Sequence, residues 1–574
     1  MSTSNRTRHA GLATSACLLF AAAGTAGAQV VPAPSQPQIG SSNPVTAEPP
    51  VPRPHTQPCV VALFQTLEFA DFSPKAFGYT PPAACPGPWA KVVFTADFTV
   101  TAGRQFDRTA AFYLGHASLY YGTTAEPRAT LSPSWHVERD VTDLTALLRT
   151  SQTGEANLGN FVGVSNGVTY DGLIYANAAL EFYPASRQER APRTADLVVP
   201  VNGGGGDAGT LSTTTDQVSQ TLSLPRNVER AYLDVIAQSQ SNDEFWYFCV
   251  PNDQAGNLES CGNTPFRETE VTIDGQPAGV APVYPWIFTG GIDPFLWEPL
   301  PGVQTLDFRP YRVDLTPFAA VLADGNAHVL ALSVYNADSY FLATANLLVF
   351  TDHGAAQVTG GLLGNTLASA PTPVVTENIQ QNGSTFTGSI TVSADRNFAI
   401  SGYLKTSHGR VDTTVEQSVR FLNTQLFDVS PTVDGQNARQ TTSVDSLVTT
   451  SEGGGTQTRQ QHFSYPLAID YRLTFNADGS STQVTSVGQQ RHLRTSDDGD
   501  DSRERAVDEE VRSTDTLLLS PSFRITGNSG AVATHSYRST DSSGGCYSRT
   551  LSAQMQQLTA VQGGGDCAGD GAQR

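Results

Sequence analysis

Short runs of alternating apolar and polar residues dominate the chain from Cys59 onwards. The segment Val92–Val100 reads VVFTADFTV, and Gly, Asn or Asp interrupts such runs about every ten residues. Because a β-strand points successive side chains to opposite faces, this alternation predicts half-buried strands. Amphipathic helical periodicity is nearly missing. We therefore expect an all-β protein of stacked antiparallel sheets, as in β-sandwiches and jelly rolls.

One β pattern occurs twice in succession. The first copy reads FDRT at 106–109, with a turn at Gly115 and DVTDL at 140–144; the second reads FRET at 266–269, with a turn at Gly275 and DLTPF at 314–318. This duplication predicts two tandem jelly-roll or β-sandwich domains and a further β-rich C-terminal domain. The expected boundaries are 59–200, 201–352 and 353–574.

The N-terminal residues have the composition of an export signal. Residues 1–28 contain a basic head, an apolar stretch at 12–23 and a small-residue cleavage site that ends at Ala28. No later stretch is apolar for long enough to form a membrane helix. We expect a secreted or periplasmic protein without a membrane partner, cleaved near Ala28. The Pro- and Ser-rich residues 29–58 predict a disordered linker.

Cysteine and charge content narrow the class further. The chain has seven cysteines, and loss of Cys17 with the signal leaves six that form local pairs along the sequence. In an exported chain they predict three disulfides, and zinc-ligand spacings are absent, so we expect no metal or cofactor. The net charge of −20 argues against nucleic-acid binding. The expected disulfide cysteines are Cys59, Cys85, Cys249, Cys261, Cys546 and Cys567.

Two segments have the composition of a sugar site. Asn242–Tyr247 reads NDEFWY, and Trp286 and Trp297 flank a Gly-rich loop that contains Asp293. Aromatic faces stack on pyranose rings, and acids and amides bind hydroxyl groups. The alternative for each aromatic residue is packing in the core.

At these residues the chain resembles the acid-type peptide-N4-(N-acetylglucosaminyl)asparagine amidases, over about residues 59–352. A more distant similarity links it to the F-type bacterial glycoamidase with two jelly rolls. The strings that carry the resemblance are GRQFDR at 103–108, TAEP at 124–127, residues 135–141, NDEFWY at 242–247, PFRE at 265–268 and residues 284–297.

The resemblance implies hydrolysis of the amide between asparagine and the innermost N-acetylglucosamine of glycopeptides and glycoproteins, at acidic pH and by a monomer. It implies Asp107 as the catalytic aspartate with Arg108 beside it. The family's second acid is missing, with Asn263 near its place, so Glu244 or Glu268 would replace it. The implied substrate-binding residues are Asn242, Asp243, Trp246, Arg267, Trp286, Asp293, Trp297 and Glu126.

Two other functions fit the same composition. Tandem β-sandwiches often serve as glycan-binding lectins or adhesins without catalysis. An endo-acting glycoside hydrolase would instead place two carboxylates at roughly 5 to 9.5 Å across a glycosidic bond.

Overall fold

Antiparallel strands make up nearly all of the regular structure. The computed structural model describes residues 30, 32–34, 36–165, 167–203, 208–499, 503–565 and 567, so the expected signal at 1–28 lies outside the described residues. No helix in these ranges is long and apolar enough to span a membrane. This architecture confirms the all-β prediction. The helical turns are Thr142–Leu144, Leu147–Arg149, Ser241–Asp243, Trp246–Phe248, Pro294–Leu296, Thr316–Phe318 and Ala319–Leu322.

The first β unit consists of two four-stranded sheets around one core. Their orders are β1-β10-β3-β6 and β2-β7-β4-β5, and β8 and β9 form a separate hairpin. Phe94, Phe98, Phe112 and Tyr120 are fully buried between the sheets. The strands are β1 Cys59–Phe69, β2 Lys75–Tyr79, β3 Trp89–Val100, β4 Thr109–Leu114, β5 Ala117–Thr123, β6 Ser134–Asp140, β7 Gln152–Leu158, β8 Gly163–Ser165, β9 Val168–Tyr170 and β10 Ile174–Pro184.

The second unit repeats that connectivity. Its sheets have the orders β11-β19-β14-β17, with β12 added to β19, and β13-β18-β15-β16. The repeated turns have left-handed glycines at Gly115 (φ 52°) and Gly275 (φ 77°), which tolerate that backbone conformation without steric cost. The strands are β11 Leu197–Val201, β12 Gly209–Leu211, β13 Val218–Leu222, β14 Val228–Gln240, β15 Glu268–Ile273, β16 Gln276–Pro282, β17 Tyr311–Asp314, β18 His328–Tyr335 and β19 Tyr340–Thr351.

The third unit is one antiparallel sheet of 11 strands. One of its faces presents Val392, Phe421 and Val444, which share a core with Trp246 and Phe266 of the second unit. We call this unit the C-terminal sheet. Its strands are β20 Thr359–Asn365, β21 Val374–Asn382, β22 Thr385–Thr406, β23 Gly409–Ser430, β24 Val433–Glu452, β25 Gly455–Phe475, β26 Ser481–Asp497, β27 Arg503–Leu519, β28 Ile525–Asp541, β29 Cys546–Gln554 and β30 Gln557–Gly565.

The Pro-rich segment ahead of β1 differs from the disordered linker that its composition predicts. It has no regular structure, but Ala47 is fully buried and donates its backbone N–H to His535 Nδ1 at 3.2 Å. Val45 N donates to Pro299 O at 2.9 Å, and Arg53 pairs with Glu138 of the first unit. The segment is ordered because its backbone groups find partners in all three β units.

The three expected disulfides are confirmed. Each joins two cysteines that follow one another along the sequence. The pairs are Cys59–Cys85, Cys249–Cys261 and Cys546–Cys567.

His535→Ala should release the N-terminal segment. His535 is fully buried, with Ala47 N on Nδ1 and Glu509 on Nε2 at 3.1 Å. Removing the imidazole leaves buried groups unpaired, which costs about 2 kcal/mol and should accelerate protease cleavage within 36–58 roughly 30-fold. The matched control His462→Ala removes an exposed pair with Asp445 and should change cleavage little. Equal cleavage of both variants would contradict this role.

Candidate active site

A cleft of about 430 Å³ lies where the first unit meets the second. The first unit contributes the residues before and at the start of β4 and the end of β5. The second contributes the segment after β14 and the loop that follows β16. The lining residues are Phe106, Asp107, Arg108, Thr109, Thr123, Glu126, Gln240, Glu244, Phe245, Phe288 and Gly290.

Asp107 is fixed from both sides of this cleft. Its Oδ2 accepts a hydrogen bond from Gly290 N of the second unit at 2.8 Å, and its own N–H donates to Glu126 Oε2 at 3.1 Å. A Cβ on residue 290 would lie 2.1 Å from Glu126 Oε2 and 3.3 Å from Asp107 Oδ2. Only glycine therefore lets the loop backbone approach both carboxyl groups.

Short backbone contacts hold the two sides together. Arg108 N donates to Thr124 Oγ1 at 2.9 Å, and Thr124 N donates to Arg108 O at 2.8 Å. Thr289 Oγ1 of the second unit donates to Thr124 O at 2.8 Å. These bonds place Asp107 and Gly290 opposite each other.

Glu244 reaches the cleft through a sharp turn at the end of β14. Ser241 adopts φ 55°, and a single helical turn, Ser241–Asp243, follows it. Glu244 N then donates to Ser241 O at 3.0 Å. The turn directs Glu244 into the cleft and buries Asp243 on the opposite side.

Burial makes the carboxyl groups of the cleft weak acids. Desolvation, followed by the negative charge of Asp107, raises the pKa of Glu126 to about 8 and that of Glu244 to about 8. Burial also raises the pKa of Asp107, while the Gly290 N–H and Arg108 oppose that rise. Asp107 therefore ionises first, because a charge on it is what holds the protons on both glutamates.

Arg108 supplies the positive charge of the cleft. Burial lowers its pKa, while Asp107 and Glu126 favour its charged form. Its Nε is buried without a hydrogen-bond partner among the described residues. The Arg108 side chain lines the cleft, and Asp107 Oδ2 accepts its hydrogen bond from Gly290 N.

Aromatic rings form the rest of the lining. Phe106 is 36% exposed and lies 5.4 Å from the Arg108 guanidinium, measured to the ring centroid. Phe245 and Phe288 enter from the second unit. These faces suit stacking on a sugar ring. Sequence reasoning missed Phe245, Phe288, Gln240 and the Gly290 N–H as site groups, although the Gly-Gly pair at 290–291 signalled a close backbone approach.

The structure brings Asp107, Arg108, Glu126 and Glu244 together, but it corrects the prediction for Glu268. Glu268 is 1% exposed, and its Oε1 pairs with Arg396 of the C-terminal sheet at 2.7 Å. It lies outside the cleft because it is on the face of β15, shared with Glu270, that contacts Arg396 of the C-terminal sheet. Glu126, which was expected to bind substrate, lies in the cleft beside Asp107 and accepts its backbone N–H.

The predictions for Asp243, Arg267 and Asn242 are also corrected. Asp243 and Arg267 form an ion pair at 2.8 Å with side chains that are 1% and 0% exposed. Asp243 Oδ2 further accepts from Asp338 N and Ser339 N, so neither charge is available to a substrate. Asn242 is exposed and lies outside the cleft lining.

The predicted sugar-binding tryptophans pack in the core. Trp246, Trp286 and Trp297 are 0%, 4% and 3% exposed. Trp286 stacks on Phe308 at 4.2 Å between ring centroids, and Trp297 Nε1 donates to Gly291 O at 2.9 Å. The neighbouring Asp293 is fully buried and caps the turn at Pro294–Leu296 by accepting from Phe295 N. Trp297 thus holds Gly291, the residue after Gly290, and Trp246 packs against Phe421 of the C-terminal sheet.

One group of potential metal ligands exists in the described residues, away from the cleft. Oxygen and nitrogen atoms of Glu229, Asp352 and His408 lie within 4.8 Å of one another. Glu229 already pairs with Arg193, and Asp352 accepts hydrogen bonds from Ser407. These partners account for the charges without a metal ion.

Comparison with known proteins identifies the family. Residues 49–367 match the model of peptide N-acetyl-beta-D-glucosaminyl asparaginase amidase A, and residues 389–467 match the PNGase_A C-terminal domain. The chain belongs to this amidase A family. It is 28% identical over 460 residues, 76% of this chain and 78% of the relative, to the peptide-N4-(N-acetyl-beta-glucosaminyl)asparagine amidase A of Prunus dulcis. The family predicted from the sequence is confirmed.

Two solved structures overlap more loosely with this family member. PNGase F from Flavobacterium meningosepticum gives a TM-score of 0.34 at 13% identity, with 51% of this chain and 96% of that chain covered. PNGF-II gives a TM-score of 0.36 at 13% identity, with 52% of this chain and 66% of that chain covered.

Gly290→Ala should disable the site without unfolding the protein. The added methyl group displaces Glu126 or pushes the loop away from Asp107, and a shift of about 1 Å at a reacting group costs roughly 10²-fold in kcat/KM. The test measures the family's amidase activity and the thermal midpoint. The control is Gly256→Ala, whose Cβ would meet nothing within 4 Å. Unchanged activity in Gly290→Ala would contradict the described geometry.

Proposed function

We propose that the cleft around Asp107 hydrolyses the amide between an asparagine side chain and the innermost N-acetylglucosamine of an N-glycan. By family the chain is a peptide-N-glycosidase, a hydrolase of the amidase class. The observation that supports this location is that Asp107, Glu126 and Glu244 line one cleft together with Arg108. Amide hydrolysis needs a base, an acid and a stabilised oxyanion.

Asp107 is the base in this proposal. Gly290 N–H and Arg108 favour its ionised form, so it can orient a water molecule and take its proton as the water attacks the asparagine carbonyl carbon. Arg108 lies one residue away and faces the same cleft. Its guanidinium stabilises the oxyanion that develops on the carbonyl oxygen.

A protonated glutamate completes the reaction. Glu244 is the proposed acid, since it faces Asp107 from the second unit and its pKa is raised to about 8. It donates a proton to the departing nitrogen, and Glu126 holds the Asp107 backbone. The products are a peptide with aspartate in place of asparagine and a glycosylamine, which loses ammonia in water.

The raised pKa of Glu244 limits the proposed reaction at high pH. A carboxyl group with a pKa of about 8 is protonated below that pH and loses its proton as the pH rises through it. Burial also raises the pKa of the Asp107 base, which must be ionised at the same pH. The proposed active window therefore lies below about pH 8, with N-glycosylated peptides and glycoproteins as substrates.

Incubation with an N-glycopeptide should convert asparagine to aspartate, a gain of about 1 Da in the peptide after loss of the glycan. The mass of the peptide, measured by mass spectrometry, gives the result. A peptide that retains one N-acetylglucosamine would instead identify an endoglycosidase, and an unchanged peptide with bound glycan would identify a lectin.

The same assay separates the proposed roles. Asp107→Asn removes the base and should lower kcat/KM roughly 10³-fold, and Glu244→Gln should lower it at least about 10²-fold. Glu268→Gln is the control, a buried glutamate outside the cleft. Full activity of Asp107→Asn would contradict the assignment.

The pH profile of kcat/KM provides a further prediction. Because Glu244 must be protonated and its pKa is about 8, its ionisation should make kcat/KM fall by up to about tenfold per pH unit above about pH 8. Glu268→Gln should leave this limb in place, although burial raises the pKa of Glu268 to about 7. A limb near pH 4.5, the ordinary range of a glutamate, would contradict a buried acid.

A further inference from the structure

The loop that carries Gly290 is supported by the C-terminal sheet. Gln489 Nε2 donates to Pro285 O at 2.7 Å, and its Oε1 accepts from Val303 N at 2.8 Å. Gln489 is fully buried. These two bonds fix both ends of a segment, residues 285–303, which we call the Gly290 loop.

Side chains of the same sheet bind the middle of this loop. Gln483 Nε2 donates to Ile292 O at 3.0 Å, and Ser513 Oγ donates to Leu296 O at 2.7 Å. Both side chains are buried. The sheet thus satisfies backbone carbonyls that the loop cannot satisfy itself, because it has almost no regular structure.

A buried pair of carboxyl groups closes this interface. Asp293 of the loop and Asp515 of β27 are both fully buried, and their carboxyl groups lie close enough for each to act on the pKa of the other. Within the described residues, Oδ2 of each is buried and receives no hydrogen bond. Two carboxylates repel, so a hydrogen bond between them requires one shared proton.

The pair is connected to the catalytic cleft through very few bonds. Asp293 N donates to Gly291 O at 2.7 Å, and Trp297 Nε1 donates to the same oxygen at 2.9 Å. Gly290, the preceding residue, donates to Asp107 Oδ2. A change in the position of Asp293 is therefore transmitted to the donor that holds Asp107.

We propose that Asp515 is a positioning residue of the C-terminal sheet: the proton that it shares with Asp293 clamps the Gly290 loop against Asp107, and loss of that proton to solvent releases the loop. The effect on catalysis rests on the proposed function, whereas the effect on the loop does not.

The sign of the pH dependence follows from the surroundings of the pair. Burial and then the charge of Asp515 raise the pKa of Asp293 to about 8. The other groups that act on the pair are neutral donors, namely the N–H groups of Phe295 and Thr516 and the Asn528 amide. No cation offsets a second negative charge. The stabilisation by the clamp is therefore fully present below about pH 4, the ordinary pKa of an aspartate, and is lost progressively as the pH rises to about 8.

Hydrogen exchange of the intact chain tests the clamp directly. Protection of the 285–303 amides, corrected for intrinsic exchange, should be highest below about pH 4, fall up to about tenfold per pH unit as the pH rises towards 8, and level off above it. In Asp515→Asn the carboxamide donates to Asp293 and still accepts from Asn528, so protection should stay within about twofold across the range. Asp293→Asn is a second isosteric variant with the same expectation.

The control is Asp508→Asn, which removes one negative charge from the same strand at an exposed side chain paired with Arg494. It should behave like the wild type. Equal pH dependence in wild type, Asp515→Asn and Asp293→Asn would overturn the proposal, as would a wild-type loop whose protection does not change with pH.

Kinetics separate this inference from the proposed function. As the pH rises through about 8 the wild type should lose the clamp as well as the acid, so its kcat/KM should fall more steeply across this range than that of Asp515→Asn, which loses only the acid. Equal slopes would overturn the catalytic role of the clamp. A chain without amidase activity at any pH would instead overturn the proposed function, while hydrogen exchange would still decide the clamp.

Discussion

The hydrogen bond from Gly290 N–H to Asp107 Oδ2, 2.8 Å long, is the contact on which the site depends. It joins a carboxyl group of the first β unit to a loop of the second, and that loop is itself supported by the third. Removing any of the three units removes either the carboxyl group, the donor or the support. The duplication of the β fold therefore has a functional use, since each copy contributes one side of the cleft.

Burial gives the cleft its chemical character. Three carboxyl groups, Asp107, Glu126 and Glu244, share a small volume with the single arginine Arg108. Taking such groups out of water penalises their charged forms, so burial raises the pKa of all three, to about 8 for Glu126 and Glu244. The Gly290 N–H and Arg108 oppose that rise at Asp107. The cleft thus holds three carboxyl groups whose charged forms are stabilised to different extents.

The sequence predicted the parts that depend on local pattern. The alternation of apolar and polar residues predicted the strands, and the repeated pattern corresponds to two units with the same sheet connectivity. Asp107 and Arg108, named from the sequence, line the cleft. Three-dimensional packing determined the rest. Trp246 and Glu268 are residue types expected in a sugar-binding site, but both contact the C-terminal sheet. No local sequence pattern reveals where that sheet lies.

The support of the loop was invisible to sequence reasoning for a related reason. Gln483, Gln489 and Asp515 lie within long strands of alternating apolar and polar residues. In such a strand the sequence does not distinguish a buried polar side chain from an exposed one. Only the packing of the sheet against 285–303 shows that these residues face inwards. The Pro-rich segment at 36–58 was misjudged similarly, since its partners, such as His535, lie far away in sequence.

In the proposed reaction the scissile amide binds between Asp107 and Arg108. A crystal structure of Asp107→Asn with an intact N-glycopeptide tests this most directly. We expect the innermost sugar to stack against Phe106. The asparagine carbonyl carbon should lie within about 3.5 Å of a water molecule held by residue 107. A glycan bound elsewhere, for example in the open groove of the C-terminal sheet near Phe398, with its amide remote from residue 107, would contradict it.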